Sequence, residues 1–203
     1  MKIYTRAGDE GETGLLYGSK VSKNSPLPEA YGTVDEAQAI LGLVRTECEK
    51  GSDLDDKIIH IERDLYVLMA ELATDPSNHH KLEEGKSKVN QKMVNFLEEF
   101  IDEITSHFEL PKEFVLPGQN RISALIDVAR TVVRRAERCA IACEIEGSLV
   151  IPYLNRLSDL LWAMARWQEG ESITARSVNS KFPIIYKSLF LNNWKTNQLQ
   201  TII

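Results

Sequence analysis

The sequence predicts an all-α protein, one up-and-down bundle of five helices. Five stretches return apolar residues every three or four positions, the period of one helical face, and glycine, proline or polar breaks separate them. The chain has 203 residues, 43% of them hydrophobic, enough for one domain with a real core, and it lacks the internal repeat that a solenoid needs.

Gly8, Gly11, Gly14 and Gly18 fall in the first 28 residues, which end on Pro26-Leu27-Pro28 and read as loop. The first helix is expected from Glu29 to about Glu49 through Ala30, Val34, Ala37, Leu41 and Val44. A second, from about Leu54 to Ala73, aligns Ile58, Ile61, Leu65, Leu68, Met69 and Leu72. Thr74-Asp75-Pro76 stops it, because proline disfavours helical backbone at the residue before it. After a polar linker from Ser77 to Gly85, a third runs from about Lys86 to His107 with Val89, Met93, Phe96, Leu97, Phe100, Ile101 and Ile104 inward. The fourth follows Pro117-Gly118 and spans about Asn120 to Glu146 through Ile122, Leu125, Ala129, Val132, Val133, Ala136 and Ala140. The fifth spans Val150 to Glu169 through Leu154, Leu157, Leu161, Met164 and Trp167. Residues 1–170 form the recognisable unit; in 171–203 the apolar pieces are too short to choose between strand and helix, and that tail stays unassigned.

Charge narrows the function classes. Lys and Arg total 24 against 30 Asp and Glu, a net −6 that argues against broad adhesion to nucleic acid. No run of about 18 apolar residues occurs, and Met1 to Asp9 has no signal-peptide stretch, so a cytoplasmic chain without a membrane partner is expected. Cys48, Cys139 and Cys143 read as reduced, the last two as small core residues. None of His60, His79, His80 or His107 follows a glutamate by three positions, as a di-iron bundle site requires, and they read as solvated or capping. No protein side-chain metal site is expected.

Two segments carry positive charge where chemistry could use it. From Tyr4 to Gly14 the closely spaced glycines let backbone N–H groups surround an anion, with Thr5, Thr13, Arg6 and Lys23 as further donors; a flexible arm has the same composition. No Gly-Lys-Ser/Thr closes it, so it is not a P-loop. In the fourth helix, Arg130, Arg134, Arg135 and Arg138 stand with Glu137 among apolar positions that leave little room to point purely outward. Arg130, Arg134 and Glu137 fall near one face, where the glutamate could orient a guanidinium. A salt-bridged, solvated face is the alternative. Asp35 is a candidate counter-ion, and Phe114 either plugs the core or walls a ligand pocket.

These segments form five ordered blocks: Tyr4-Thr5-Arg6-x-Gly8-Asp9-x-Gly11-x-Thr13; Ala30-Tyr31-Gly32-x-Val34-Asp35-Glu36; Phe114-Val115-Leu116-Pro117-Gly118; Ala129-Arg130-Thr131-Val132-x-Arg134-Arg135-Ala136-Glu137-Arg138; and Tyr153-Leu154-Asn155-Arg156-Leu157-Ser158-Asp159. Together they resemble the PduO-type ATP:cob(I)alamin adenosyltransferases over about residues 2 to 169. The resemblance implies a homotrimer with active sites between subunits. Its reaction moves the 5′-deoxyadenosyl group of ATP to cob(I)alamin and releases triphosphate, with Mg²⁺ on the phosphates. It implies that Thr5, Arg6, Ala7, Gly8, Thr13, Gly14 and Lys23 wrap ATP, with Arg134, Arg135, Ala136, Glu137, Arg138 and Asn155 binding it from the helices. Asp35 and Arg130 would pair across the subunit interface, and Phe114 would lie under the corrin, excluding the lower axial ligand. A reductase and an adenosylcobalamin-dependent enzyme are the implied partners. The chain departs from the family pattern at Ala37 and Gln38 (usually Leu-Asn), Gln119 (usually Gly) and Asp127 (commonly His). These positions lie toward the corrin, and Asp127, three residues before Arg130, could compete with Asp35 for it. An ATP or adenosylcobalamin sensor, or a cofactor-delivery protein, is the alternative function.

Overall fold

All five helices form: α1 (Pro26–Glu47), α2 (Asp53–Leu72), α3 (Gln91–Thr105), α4 (Arg121–Ile141) and α5 (Val150–Glu169). The structure, a computed structural model, describes residues 2–4 and 6–176; Thr5 and the tail beyond Arg176 lie outside the described residues. α4 packs against both α1 and α5, while α2 covers α1 and α3 covers α5. The apolar stripes are what these contacts bury. All five stripe residues of α1 are fully buried, as are Leu65, Leu97, Val133 and Leu161 from the other four helices. None of the described helices is long and apolar enough to cross a membrane.

The ends differ from the sequence expectation for local reasons. α1 begins at Pro26, inside the stretch read as loop, because a first-turn proline gives up an N–H that has no helical partner anyway. α3 begins five residues late. Gly85 donates its N–H to Lys88 O at 2.7 Å, and Asn90 Oδ1 accepts from Met93 N at 3.1 Å, so a turn and a cap consume residues 85–90. α4 stops at Ile141, since Glu144 and Gly147 take φ of 49° and 68°, outside helical backbone. The polar linker contains a short 3₁₀ helix, Pro76–Lys81, capped by Asp75.

The N-terminal loop is also more ordered than expected. β1 (Glu12–Gly14) and β2 (Lys20–Ser22) pair antiparallel with Thr13 opposite Val21. Tyr17 and Gly18, at φ 64° and 91°, make the turn in the left-handed region that suits a hairpin. Strands of three residues are too short to leave a period-two signature. The turn docks on the end of α2: Leu16 donates its N–H to Ala73 O at 2.8 Å, and Tyr17 OH donates to Lys81 O. The start of the unassigned tail is ordered too. Thr174 bridges Val115 antiparallel, with Leu116 N–H to Ile173 O and Ala175 N–H to Phe114 O, both at 2.8 Å.

Candidate functional site

Val132, Val133, Ala136 and Ala140 take the core-facing positions of α4, which leaves the arginines to the other side. Arg134, Arg135 and Arg138 are exposed, so the crowding read from the sequence does not turn them inward; only Arg130 is half-buried. Arg135 pairs with Glu36 of α1, and Arg138 Nη1 donates to Arg134 O at 2.9 Å. Arg134 has no ion-pair partner among the described residues. Glu137 does not orient an arginine as expected: its Oε1 accepts from Asn155 Nδ2 at 3.0 Å. Asn155 Oδ1 in turn accepts from Arg156 Nη1 at 2.7 Å, which ties α5 to this face. Ala136 is fully buried, so its side chain packs beneath the arginines and is not offered to a ligand.

Between the second half of α4 and the start of α1 lies an open cavity of about 540 Å³, lined by Asn24, Ser25, Glu29, Arg135, Arg138 and Cys139 among others. Asn24 and Ser25 bring the arm here, directly after Lys23. The arm is folded around that lysine, whose Nζ donates to Gly8 O at 2.7 Å and whose N–H donates to Gly11 O at 2.8 Å. A Cβ on Gly8 would stand 2.8 Å from the lysine Nζ, so a side chain there would push the end of Lys23 aside. Arg6 takes φ 61°, its guanidinium 5.7 Å from the Tyr4 ring centre. Arg6, Thr13 and Gly14 are not among the residues lining the cavity.

The first half of α4 is built differently. Phe114 is 78% exposed and so does not plug the core. It borders a cavity of about 320 Å³ whose walls include Pro117, Asp127, Arg130, Trp162 and Arg166. The buried Asp127 carboxylate accepts from Arg130 Nε at 3.0 Å through one oxygen and from Arg166 Nη2 at 2.5 Å through the other. Asp35 is exposed on α1 and makes no ion pair among the described residues; within the chain, Arg130 takes Asp127. Sequence reasoning missed Arg166, Trp162 and Glu36. A charge inside the apolar run Met164 to Trp167 was the available signal for Arg166.

The remaining candidates behave as structural residues. His79 and His80 bond Thr74 O and Ser77 O locally, and His60 stacks on Phe96 with ring centres 4.0 Å apart. The three cysteines are unpaired and half-buried; burial pushes the Cys143 thiol up to about 11, far from a reactive thiolate. No cluster of three or more His, Cys, Asp or Glu is placed to hold a metal ion among the described residues.

The family model described as cobalamin adenosyltransferase matches residues 3–168, the arm and nearly all of the bundle. The chain belongs to the cobalamin adenosyltransferase family. The corrinoid adenosyltransferase of Citrobacter freundii is 40% identical over 171 residues, covering 83% of this chain and 95% of that protein. That of Bacillus subtilis is 38% identical over 172 residues, covering 82% and 86%. Among solved structures, a variant PduO-type ATP:corrinoid adenosyltransferase from Lactobacillus reuteri, complexed with cobalamin and ATP, superposes with a TM-score of 0.78. It is 30% identical to this chain and covers 86% of it and 97% of that chain. As a member of the family, this chain has its matched region end within α5, so the strand-like segment pairing with Phe114–Leu116 lies beyond it.

Proposed function

We propose that the protein is an ATP:corrinoid adenosyltransferase that joins the 5′-deoxyadenosyl group of ATP to the cobalt of cob(I)alamin. The observation that carries this reading is the division of α4. Its second half presents exposed guanidinium groups beside the glycine-rich arm, and its first half faces a cavity bordered by an exposed phenylalanine. The first arrangement suits a polyphosphate and the second an apolar macrocycle face.

The chemistry asks little covalent work of the protein. Cobalt(I) attacks C5′ of ATP, the Co–C5′ bond forms as the C5′–O bond breaks, and triphosphate leaves with the electron pair while cobalt becomes formally Co(III). What the chain supplies is placement, exclusion of water and charge for the departing triphosphate. Arg134, Arg135 and Arg138, with Lys23 and the arm from Thr5 through Gly14, take the phosphates. Mg²⁺ rides on these, held mainly by phosphate and water. Glu137 and Asn155, already hydrogen-bonded to one another, form the helix-side wall. Phe114 lies against the lower corrin face and displaces the axial ligand, which makes cob(II)alamin easier to reduce.

The active unit is a homotrimer with sites between subunits, where Asp35 of one protomer meets Arg130 of the next. Residues 1–170 form the catalytic unit, and the reaction runs in the cytoplasm, to which three unpaired cysteines are suited. An electron-donating reductase and an adenosylcobalamin-dependent enzyme are its partners. An anaerobic assay with ATP, magnesium and chemically reduced cobalamin tests the reading: the cob(I)alamin absorption is expected to decay only when protein and ATP are both present. Sedimentation is expected to give a trimer, and a stable monomer would remove the interfacial site.

A further inference from the structure

A group of four charges lies behind the Phe114 cavity, and the arginine row on the outer side of α4 does not account for it. Asp127 and Arg166 are 5% and 3% exposed, and the Glu169 side chain is 0% exposed. Such groups are kept in a core only when paired. From the Asp127 carboxylate two lines of contact run outward. One oxygen takes Arg130 Nε, which leaves the two terminal nitrogens of Arg130, with four of its five N–H donors, unused by Asp127, and Arg130 lines the cavity it shares with Phe114. The other oxygen takes Arg166, whose Nε lies 2.9 Å from Glu169 Oε1.

The second line continues to the loop. Glu169 Oε1 accepts from Ser172 Oγ at 2.5 Å, and the residues that follow, Ile173 and Ala175, hold Leu116 and Phe114 by backbone hydrogen bonds. Glu169 Oε2 is buried without a hydrogen-bond partner among the described residues, as is Arg166 Nε, which meets Oε1 off the hydrogen-bond axis. A set with orphaned polar atoms is poor as a purely stabilising device. Its geometry is better suited to fixing two things at once: the orientation of a guanidinium and the backbone of an exposed aromatic.

We propose that Asp127, held by Arg166 and Glu169, is a positioning residue for the corrinoid side of the site. It sets Arg130 through its Nε edge and, through Arg166, Glu169 and Ser172, sets the loop that presents Phe114. Asp127 then does not compete with a second acidic partner of Arg130; it leaves the terminal edge of the guanidinium for one. The proposal rests on the adenosyltransferase reading for what occupies the cavity, and it makes the effect selective: the corrinoid, not ATP, feels the loss.

The test uses the 203-residue chain carrying Asp127→Asn, which keeps shape and removes charge. Its KM for cob(I)alamin should rise about tenfold, as when a charge-assisted contact loses its charge, with the KM for ATP within about twofold of the parent. Titration with cobalamin, followed by quenching of tryptophan fluorescence, reads the same loss without turnover. Equal rises in both KM values, or no change in either, would overturn the proposal. If Asp127→Asn does not fold, Glu169→Gln interrupts the line one step further out and should give the same selective rise; unchanged corrinoid affinity in that variant also overturns it. A parent protein that binds cobalamin without turnover would refute the transferase reading alone, and the positioning role would then be decided by the two dissociation constants.

Discussion

Arg130 and the arginines that follow it on α4 are handled in opposite ways. Toward its C-terminus and among the described residues, Arg134 has no ion-pair partner and Arg138 bonds the backbone carbonyl of Arg134, while Arg135 pairs with the exposed Glu36. Toward its N-terminus, Arg130 and the neighbouring Arg166 are held by a buried carboxylate. Charge left open in water costs little and waits for an anion; charge taken into a core must be neutralised where it stands. On the proposed reading, one helix offers exposed charge to a polyanion and, about one turn away, a pre-set wall to a less polar ligand. The contrast explains why residue type alone misleads: Arg134, exposed, stands only four positions after the fixed Arg130.

The contrast can be broken most severely at Arg134. Arg134→Ala is expected to lower kcat/KM for ATP by about 10- to 100-fold, since a hydrogen bond to a charged group contributes about 1.5–3 kcal/mol. Corrinoid affinity and thermal stability should hardly move, because the side chain is exposed; steady-state kinetics with each substrate varied in turn separates the two. Phe114→Ala should act at the opposite end and by less. It is expected to slow reaction from cob(II)alamin with a reductant more than reaction from preformed cob(I)alamin, and equal losses would remove its role in excluding the axial ligand.

A charged cluster outside both halves provides the control. Arg45 of α1 bonds Asp55 and Glu62 of α2, and the guanidinium and the Gly51 N–H hold the Asp55 carboxyl below the usual carboxylate range. A lowered carboxylate pKa stabilises the fold above the unfolded value of about 3.9 and loses that contribution as pH falls through the folded value. Asp55→Asn should therefore melt lower than the parent at pH 7, with the gap closing in acid, while neither KM changes. The smallest effect belongs to Glu36→Gln. It releases Arg135 at the surface and should shift stability by no more than about 1 kcal/mol, as measured by urea unfolding.

How much of this could be read without the structure follows from the physics of each feature. Helix existence and the buried faces were legible because a 3.6-residue period imprints itself on the side chains; Ala30, Val34, Leu41 and Leu161 all lie where the period put them. Helix ends were less so, since single side chains such as Asn90 and turns such as Gly85–Lys88 decide them. The exposure of Phe114 and the docking of the hairpin on Ala73 depend on which loops meet, which no local pattern encodes. Within the candidate site, Arg134, Lys23 and Phe114 are legible from composition and resemblance. Asp127 stands out in the sequence only as a departure, and Arg166 not at all, because the partners of a buried charge are distant in sequence: these two are 39 positions apart.

In the proposed reaction, a cobalt–carbon bond is made at the expense of the C5′–O bond of ATP. The most direct measurement is the stoichiometry of products under anaerobic conditions with cob(I)alamin in excess. One adenosylcobalamin and one intact triphosphate per ATP consumed are expected. ATP that binds but is not consumed while cob(I)alamin persists, or ATP that is cleaved without any cobalt–carbon bond, would contradict the account.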